Sequence, residues 1–299
     1  MHSSAPMRIA HISDLHFSKV TLHPRQFFSK RWVGNVNLLL RRRNEFHQDK
    51  LLDLIQTFQK EKVQHVLISG DLTCTTLQEE LREARRFIDL LKGAGLSVLT
   101  IPGNHDHYTK SDYAKKLFYD FFPSSFGYEA SPYNLKEHKI AVKKLGEGWW
   151  IILLDTALAT SYFSCHGVFS LQIQKNLADA LTAIPKADKV LVANHFPLFT
   201  YDSHPKHLRG DDALRDMLAK YKQIKMYVHG HMHRHCIADL RNAGLPVIID
   251  SGSAAHTERA SCNLYTLQPN GVTIQPLFWK KEEDSTFSWQ PAPEHSLTW

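Results

Sequence analysis

Five short clusters of aspartate, asparagine and histidine constrain this 299-residue chain more than any other feature. They are Asp14-Leu15-His16, Gly70-Asp71, Gly103-Asn104-His105-Asp106, Asn194-His195 and Gly230-His231-Met232-His233. Each sits at or just after the end of an apolar run: 8–13, 65–69, 97–101, 189–193 and 226–228. With 150–154 and 246–249, these runs have the length and composition of buried strands. Amphipathic helical patterns lie between them, at Leu51, Leu54, Ile55 and Phe58, at Leu81, Phe87, Ile88 and Leu91, and at Ile173, Leu177, Ala180 and Leu181. The alternation predicts an α/β fold, central sheets covered by helices. The later segments 236–240, 246–249, 260–268 and 272–279 are strand-like with few helices between, which predicts antiparallel additions to a second sheet. The polar tail 280–299, carrying Pro291 and Pro293, is expected to pack loosely. No repeat or linker divides the chain, so 1–299 reads as a single domain.

In sheets of this kind the carboxyl ends of the strands face the functional crevice, so residues distant in sequence converge there. The converging set is Asp14, His16, Asp71, Asn104, His195, His231 and His233. Imidazole with carboxylate or amide oxygen suits Mn, Fe or Zn, and the lack of cysteine argues against a structural zinc site. Seven donors exceed what one tetrahedral ion uses, so two cations sharing a bridging carboxylate is the economical reading. Such a pair clamps attacking and leaving oxygens in phosphoryl transfer and lowers the pKa of bound water from 15.7 to about 7. Each motif taken alone has an ordinary reading. Asp14 caps a turn, Asp71 caps a helix, and Asn104 fills a left-handed turn. The ordered set requires five such coincidences at five strand ends. His11, His65, His107, His166, His204, His207, His235 and His256 fall outside the set and are expected to be ordinary hydrogen-bonding histidines. His256, after Ser251-Gly252-Ser253, is also a candidate contact for substrate phosphate. The four cysteines are scattered and form no C-x-x-C pair, as reduced thiols do.

D-x-H, G-D, G-N-H-D, a later lone histidine and G-H-x-H, in this order from Asp14 to His233, resemble the calcineurin-like metallophosphoesterases. The resemblance implies a four-layer α-β-β-α sandwich of two mixed sheets flanked by helices. It implies that Asp14, His16 and His233 hold a first metal, that Asn104, His195 and His231 hold a second, and that Asp71 bridges them. His105 takes the place of the catalytic histidine, which stabilises the transition state or protonates the leaving oxygen. The metals expected are two divalent ions, Mn²⁺ first, with Fe, Zn or Mg as alternatives.

One segment, 19–47, leaves the strand–helix rhythm. Its seven basic residues (Lys19, Arg25, Lys30, Arg31, Arg41, Arg42 and Arg43) against Glu45 equal the net charge of the whole protein, +6. As a helix it would align Phe28, Trp32, Val36, Leu39 and Leu40 on one apolar face. An aromatic-aliphatic face flanked by arginines suits an anionic membrane surface. The same face packed on the domain, or a nucleic-acid contact, are the alternatives. The basic residues gather at the ends of the segment and form no stripe, which disfavours nucleic acid. The polar 1–7 segment, and the lack of any run near the ~18–20 apolar residues a spanning helix needs, lead to the expectation of a cytoplasmic protein, peripheral on the inner face of the membrane. Within the family this combination resembles the UDP-2,3-diacylglucosamine pyrophosphatases of lipid A biosynthesis. The better known branch of that group has arginine after the motif asparagine, where this chain has His105. The resemblance implies an amphiphilic phosphate substrate, cleaved to UMP and 2,3-diacylglucosamine 1-phosphate. Arg41, Arg42 and Arg43 would then meet headgroups or diphosphate, and Phe27, Phe28, Trp32, Leu38, Leu39 and Leu40 would meet acyl chains. The alternatives are a soluble phosphodiesterase acting on cyclic nucleotides or other phosphodiesters and, outside enzymes, a non-catalytic scaffold of the same fold.

Overall fold

The computed structural model describes residues 6–19, 30–37, 45–126, 131–161, 164–199 and 207–299. Five apolar runs become the parallel strands that carry the ligand motifs. In the first sheet β1 (Met7–Ile12), β2 (His65–Ile68) and β3 (Ser97–Thr100) run parallel. The connections carry α1 (Lys30–Asn37), α2 (Asp49–Lys60) and α3 (Gln78–Gly93). After β3 come three short helices, α4 (Lys110–Ala114), α5 (Phe118–Phe121) and α6 (Leu135–His138).

The second sheet is ordered β10-β11-β9-β7-β5-β4. Its strands are β4 (Ile140–Gly146), β5 (Trp149–Leu154), β7 (Lys189–Ala193), β9 (Ile224–His229), β10 (His235–Asp239) and β11 (Val247–Ser251). α7 (Leu171–Ala183) and α8 (Asp211–Lys220) cover its outer face, and β6 (Gly167–Val168) pairs with β8 (Leu208–Arg209) in a small ribbon. The chain then returns to the first sheet through β12 (Ser261–Gln268), antiparallel to β1, and β13 (Gly271–Lys281). β14 (Phe287–Pro291) and β15 (His295–Thr298) both pair with β13, so that sheet reads β14-β13-β12-β1-β2-β3 with β15 beside β13.

Period-two alternation turns these strands into layers. In β5, Trp149, Ile151 and Leu153 face the other sheet, where they meet Ile9, Leu67, Leu99, Tyr265 and Leu267. Trp150, Ile152 and Leu154 point the opposite way, onto Ile173, Leu177, Leu181 and Leu218 of α7 and α8. Ala10, Ile12, Val66 and Ile68 likewise meet Leu51, Leu54, Leu81 and Leu91 of α2 and α3. Each such side chain contributes roughly 1.5–3 kcal/mol by leaving water. The result is the expected four-layer α-β-β-α sandwich of two mixed sheets.

Two expectations change, and one strand appears that the sequence did not show. The tail 280–299 is not loose: β14 and β15 extend the sheet, and buried Trp289 donates its indole N–H to Lys50 O at 3.0 Å. Its polarity reflects an edge whose alternate residues face water. The late strands divide between the sheets, β10 and β11 joining β9, and β11 is parallel to it. Strand β4 was hidden by the consecutive Lys143 and Lys144, half-buried and exposed on opposite faces of another edge strand. Of the expected apolar face in 19–47, Trp32 sits on α1 and is exposed. Phe27, Phe28, Leu38, Leu39, Leu40, Arg41, Arg42 and Arg43 lie outside the described residues.

Candidate metal centre

The loops after β1, β2, β3, β7 and β9 meet at one end of the sandwich. Backbone bonds stitch them together: Asp14 N donates to Gly70 O (3.0 Å), His16 N to Asp71 O (3.0 Å), and Gly230 N to His195 O (3.1 Å). Five of the seven expected ligands, Asp14, His16, Asp71, His231 and His233, have φ between 48° and 73°. A left-handed backbone is uncommon outside glycine but enriched for Asp, Asn and His. Each such residue stores on the order of 1–3 kcal/mol, a cost that recurs at functional sites. Glycines make the close approach feasible. A Cβ on Gly103 would collide with the carboxylate and backbone of Asp71, and one on Gly230 with Ser13 and the Asp14 carboxylate.

Two donor groups result, Asp14 with His16 and His233, and Asp71 with His195 and His231, the ligand atoms in each lying within 4.8 Å of one another. In the first, His16 Nε2 is 3.1 Å from His233 Nε2, and His233 Nε2 is 3.2 Å from Asp14 Oδ1. In the second, His195 Nε2 is 3.2 Å from Asn104 Oδ1 and from His231 Nδ1, and 3.4 Å from Asp71 Oδ2. That same Asp71 oxygen is 4.0 Å from His16 Nε2, so it faces both groups as a bridge must.

The donors fit two divalent cations. Imidazole nitrogens converge in pairs, and the buried Asp14 Oδ1 has no hydrogen-bond partner. Burial holds His16 well below the usual imidazole range and pushes His231 down to about 3, so their lone pairs stay open to a metal. Burial opposes ionisation of Asp71, yet the neighbouring His195 and His105 outweigh it and hold the carboxyl well below its usual range. His195 shows the converse: burial disfavours its charge, but Asp71 raises it to about 9. His195 Nδ1 donates to Ser69 O at 2.9 Å, which fixes the tautomer and turns Nε2 to the ligand side.

His105 stands beside this pair of groups. Its Nδ1 donates to Cys74 O at 2.6 Å, its backbone N–H to Asp71 Oδ1 at 2.8 Å, and its ring centroid lies 5.1 Å from that of His16. The bond to Cys74 O fixes the orientation of the ring through Nδ1.

Residues 7–235 match the family model of the calcineurin-like phosphoesterases. The chain belongs to that family. Among curated relatives, it is 29% identical over 173 residues to the 3',5'-cyclic adenosine monophosphate phosphodiesterase CpdA of Haemophilus influenzae, covering 56% of this chain and 54% of the relative. The match thus spans about half that relative's length. It is 26% identical over 216 residues to a probable cyclic nucleotide phosphodiesterase of Vesicomyosocius okutanii, covering 69% of this chain and 78% of the relative. The fold is that of a dimetal phosphatase from Danio rerio (TM-score 0.65, 13% identity, 99% of each chain). It is shared with a purple acid phosphatase from yellow lupin (TM-score 0.64, 12% identity, 99% of this chain and 54% of that one).

Outside the ligand set, four further residues shape this calcineurin-like site. Asp106 accepts from Leu72 N, Thr73 N and Gly103 N at 2.9–3.0 Å, tying the β2 loop to the β3 loop. Buried Phe46 lies over His16, ring centroids 4.3 Å apart, and 5.5 Å from His233. Tyr108 stacks on His105 at 5.7 Å with 20° between planes. Asp155, after β5, accepts from Lys139 and Tyr119, each at 2.6 Å, and is structural. Position after a strand end was the available signal for Asp155, while nothing in the sequence marked Phe46. Among the remaining histidines, His11 is satisfied by Tyr265 and Ser69 as expected. Buried His107 is not: neither ring nitrogen has a hydrogen-bond partner, and Nε2 stands 3.7 Å from Asp155. His256 contacts Phe46 edge-on at the rim.

Proposed function

We propose that the chain hydrolyses a phosphoester or diphosphate bond with two bound divalent cations, Mn²⁺ first among the candidates. The observation that carries this is Asp71 Oδ2 facing both donor groups. When bound, such cations activate water near neutral pH and offset charge on the phosphoryl oxygens. The residues of the chain do the rest. The Asp14 and Asp71 groups would set the spacing, and His105, when protonated on both ring nitrogens, donates from Nε2 a hydrogen bond to the phosphoryl group or a proton to the leaving oxygen. Water oxygen bonds to phosphorus as the bond to the leaving oxygen breaks.

The substrate we propose is UDP-2,3-diacylglucosamine, yielding UMP and 2,3-diacylglucosamine 1-phosphate. The 19–47 segment supports it, because its described parts, α1 and 45–47, pack against loops that carry site residues. Helix α1 is held by Arg31 to Thr75 O and Thr76 O, at 3.0 and 2.7 Å, and carries exposed Trp32. At the other end Phe46 covers His16 and His47 N donates to Ala255 O at 2.8 Å. A segment of basic and aromatic sequence whose described parts pack beside the site suits an amphiphile with a diphosphate. On this reading the protein works from the cytoplasm at an anionic membrane surface. No helix among the described residues is long and apolar enough to cross a membrane. The second reading, hydrolysis of a cyclic nucleotide, is favoured by the names of the two curated relatives.

The test is UMP release from detergent-dispersed UDP-2,3-diacylglucosamine, with 3',5'-cyclic AMP in parallel, each with and without Mn²⁺. Metal-dependent UMP release supports the lipid substrate. Turnover of cyclic AMP alone transfers the assignment to the second reading, and no turnover of either removes both.

A further inference from the structure

Helix α1 is seated on the loop that carries His105. Lys30 Nζ donates to Thr160 O and Oγ1, both at 3.2 Å, and stands 4.6 Å from the Tyr108 ring centroid. Arg31 adds an ion pair to Asp112 at 2.6 Å. At Gly34 the helix comes so close that an added Cβ would lie 2.8 Å from the Tyr108 hydroxyl. Tyr108 in turn stacks on His105, and its N–H donates to Thr76 Oγ1 at 2.9 Å. The Thr76 hydroxyl donates to His105 O at 2.8 Å. The His105 ring is therefore anchored at Nδ1 by Cys74 O and faced by Tyr108, and α1 bears on Tyr108.

We propose that Tyr108 is a positioning residue for His105, held by α1, so that the seating of α1 sets the aim of the catalytic imidazole. This rests on the reading of His105 as the group that serves the leaving oxygen. A ring that swings off line still leaves the ligand groups intact. What fails is protonation of the leaving oxygen, which matters for an alkoxide and little for a nitrophenolate. The defect should therefore depend on the leaving group.

The experiment compares the wild type with Tyr108→Leu, Tyr108→Phe and Gly34→Val. Values of kcat and KM are measured with Mn²⁺ on the ethyl and p-nitrophenyl esters of uridine 5'-monophosphate. Independently of turnover, the His105 Nδ1–H proton is followed by NMR in Zn²⁺-loaded protein, assigned by its loss in His105→Gln. General acid catalysis contributes typically 10²–10⁴-fold. Tyr108→Leu and Gly34→Val should lose at least about tenfold in kcat on the ethyl ester, well under that on the p-nitrophenyl ester, with KM little changed. Tyr108→Phe keeps the ring and should stay near wild type. The Nδ1–H signal should persist in Tyr108→Phe and be lost to exchange in the other two. Equal losses on both esters, or an unchanged Nδ1–H signal in Tyr108→Leu and Gly34→Val, would overturn the proposal. Failure of the wild type on both esters would count against the hydrolase reading, and the NMR arm would still decide the positioning of His105.

Discussion

Asp71 stands between the two donor groups, its Oδ2 placed towards both His16 and His195. Asp71→Ala should drop bound metal from about two per chain to one or none and abolish turnover, because no neighbouring oxygen replaces the bridge. Metal analysis after gel filtration reads this directly. Two tightly held metals in the variant would exclude Asp71 as the bridge. His105→Ala should keep both metals and lose about 10²–10⁴-fold in kcat. Asp155 makes the contrast with these ligands. Burial opposes its charge, but Lys139 outweighs burial and holds the carboxyl below the usual range, with His107 and Tyr119 facing the same group. A folded-state pKa depressed below 3.8 means stability present above that value and lost as pH falls towards the folded pKa. Removing one partner of a buried pair costs roughly 3–5 kcal/mol. Urea unfolding of metal-free protein should show Asp155→Asn less stable by several kcal/mol at pH 7. That gap should narrow below about pH 4. A gap independent of pH would mean that the ionised pair is not its source.

At the scale of elements, strands buried on both faces were legible because their apolar runs are continuous, and each ligand motif announced the loop after one of them. Edge strands β4, β14 and β15 were not, because lysines and polar residues interrupt their apolar pattern and several of them face water. Phe46 and Tyr108 were invisible for another reason. Their roles come from what the fold sets beside them, His16 in one case and His105 in the other. The motif glycines stand between these cases: legible as motif letters, explained only by the packing. Gly230→Ala places a methyl against Ser13 and the Asp14 carboxylate. It should weaken the first metal by about 10–100-fold, as lost support of a ligand does, while the second holds. Titration with Zn²⁺ would show one site displaced; two unchanged sites would mean that the β9 loop relaxes freely.

For the whole molecule, the question is where its net charge of +6 acts. One basic region is the 19–47 segment. Another lies around Trp299, where Lys186, Lys189, Lys222, Lys225 and Arg241 line adjoining clefts. Burial and then the crowding of Lys189, Arg241 and Lys222 lower the pKa of Lys225, while Asp188 lines the same cleft and Asp239 pairs with Arg241. Both would draw the protein to an anionic surface, at about 1 kcal/mol per basic residue near it, and salt would weaken both. Aromatic and aliphatic insertion separates them, because it survives salt. In sedimentation with phosphatidylglycerol vesicles, wild-type binding should fall as salt rises but leave a residue that Phe28→Ser, Trp32→Ser and Leu39→Ser together remove. The same triple variant should still cleave the p-nitrophenyl ester of uridine 5'-monophosphate, since none of the three is a metal ligand. If Lys222→Glu with Lys225→Glu abolishes vesicle binding while the triple variant keeps it, the attraction is purely electrostatic and works from the Trp299 region. The 19–47 segment would then be packing surface alone, and the case for a lipid substrate would lose its structural support.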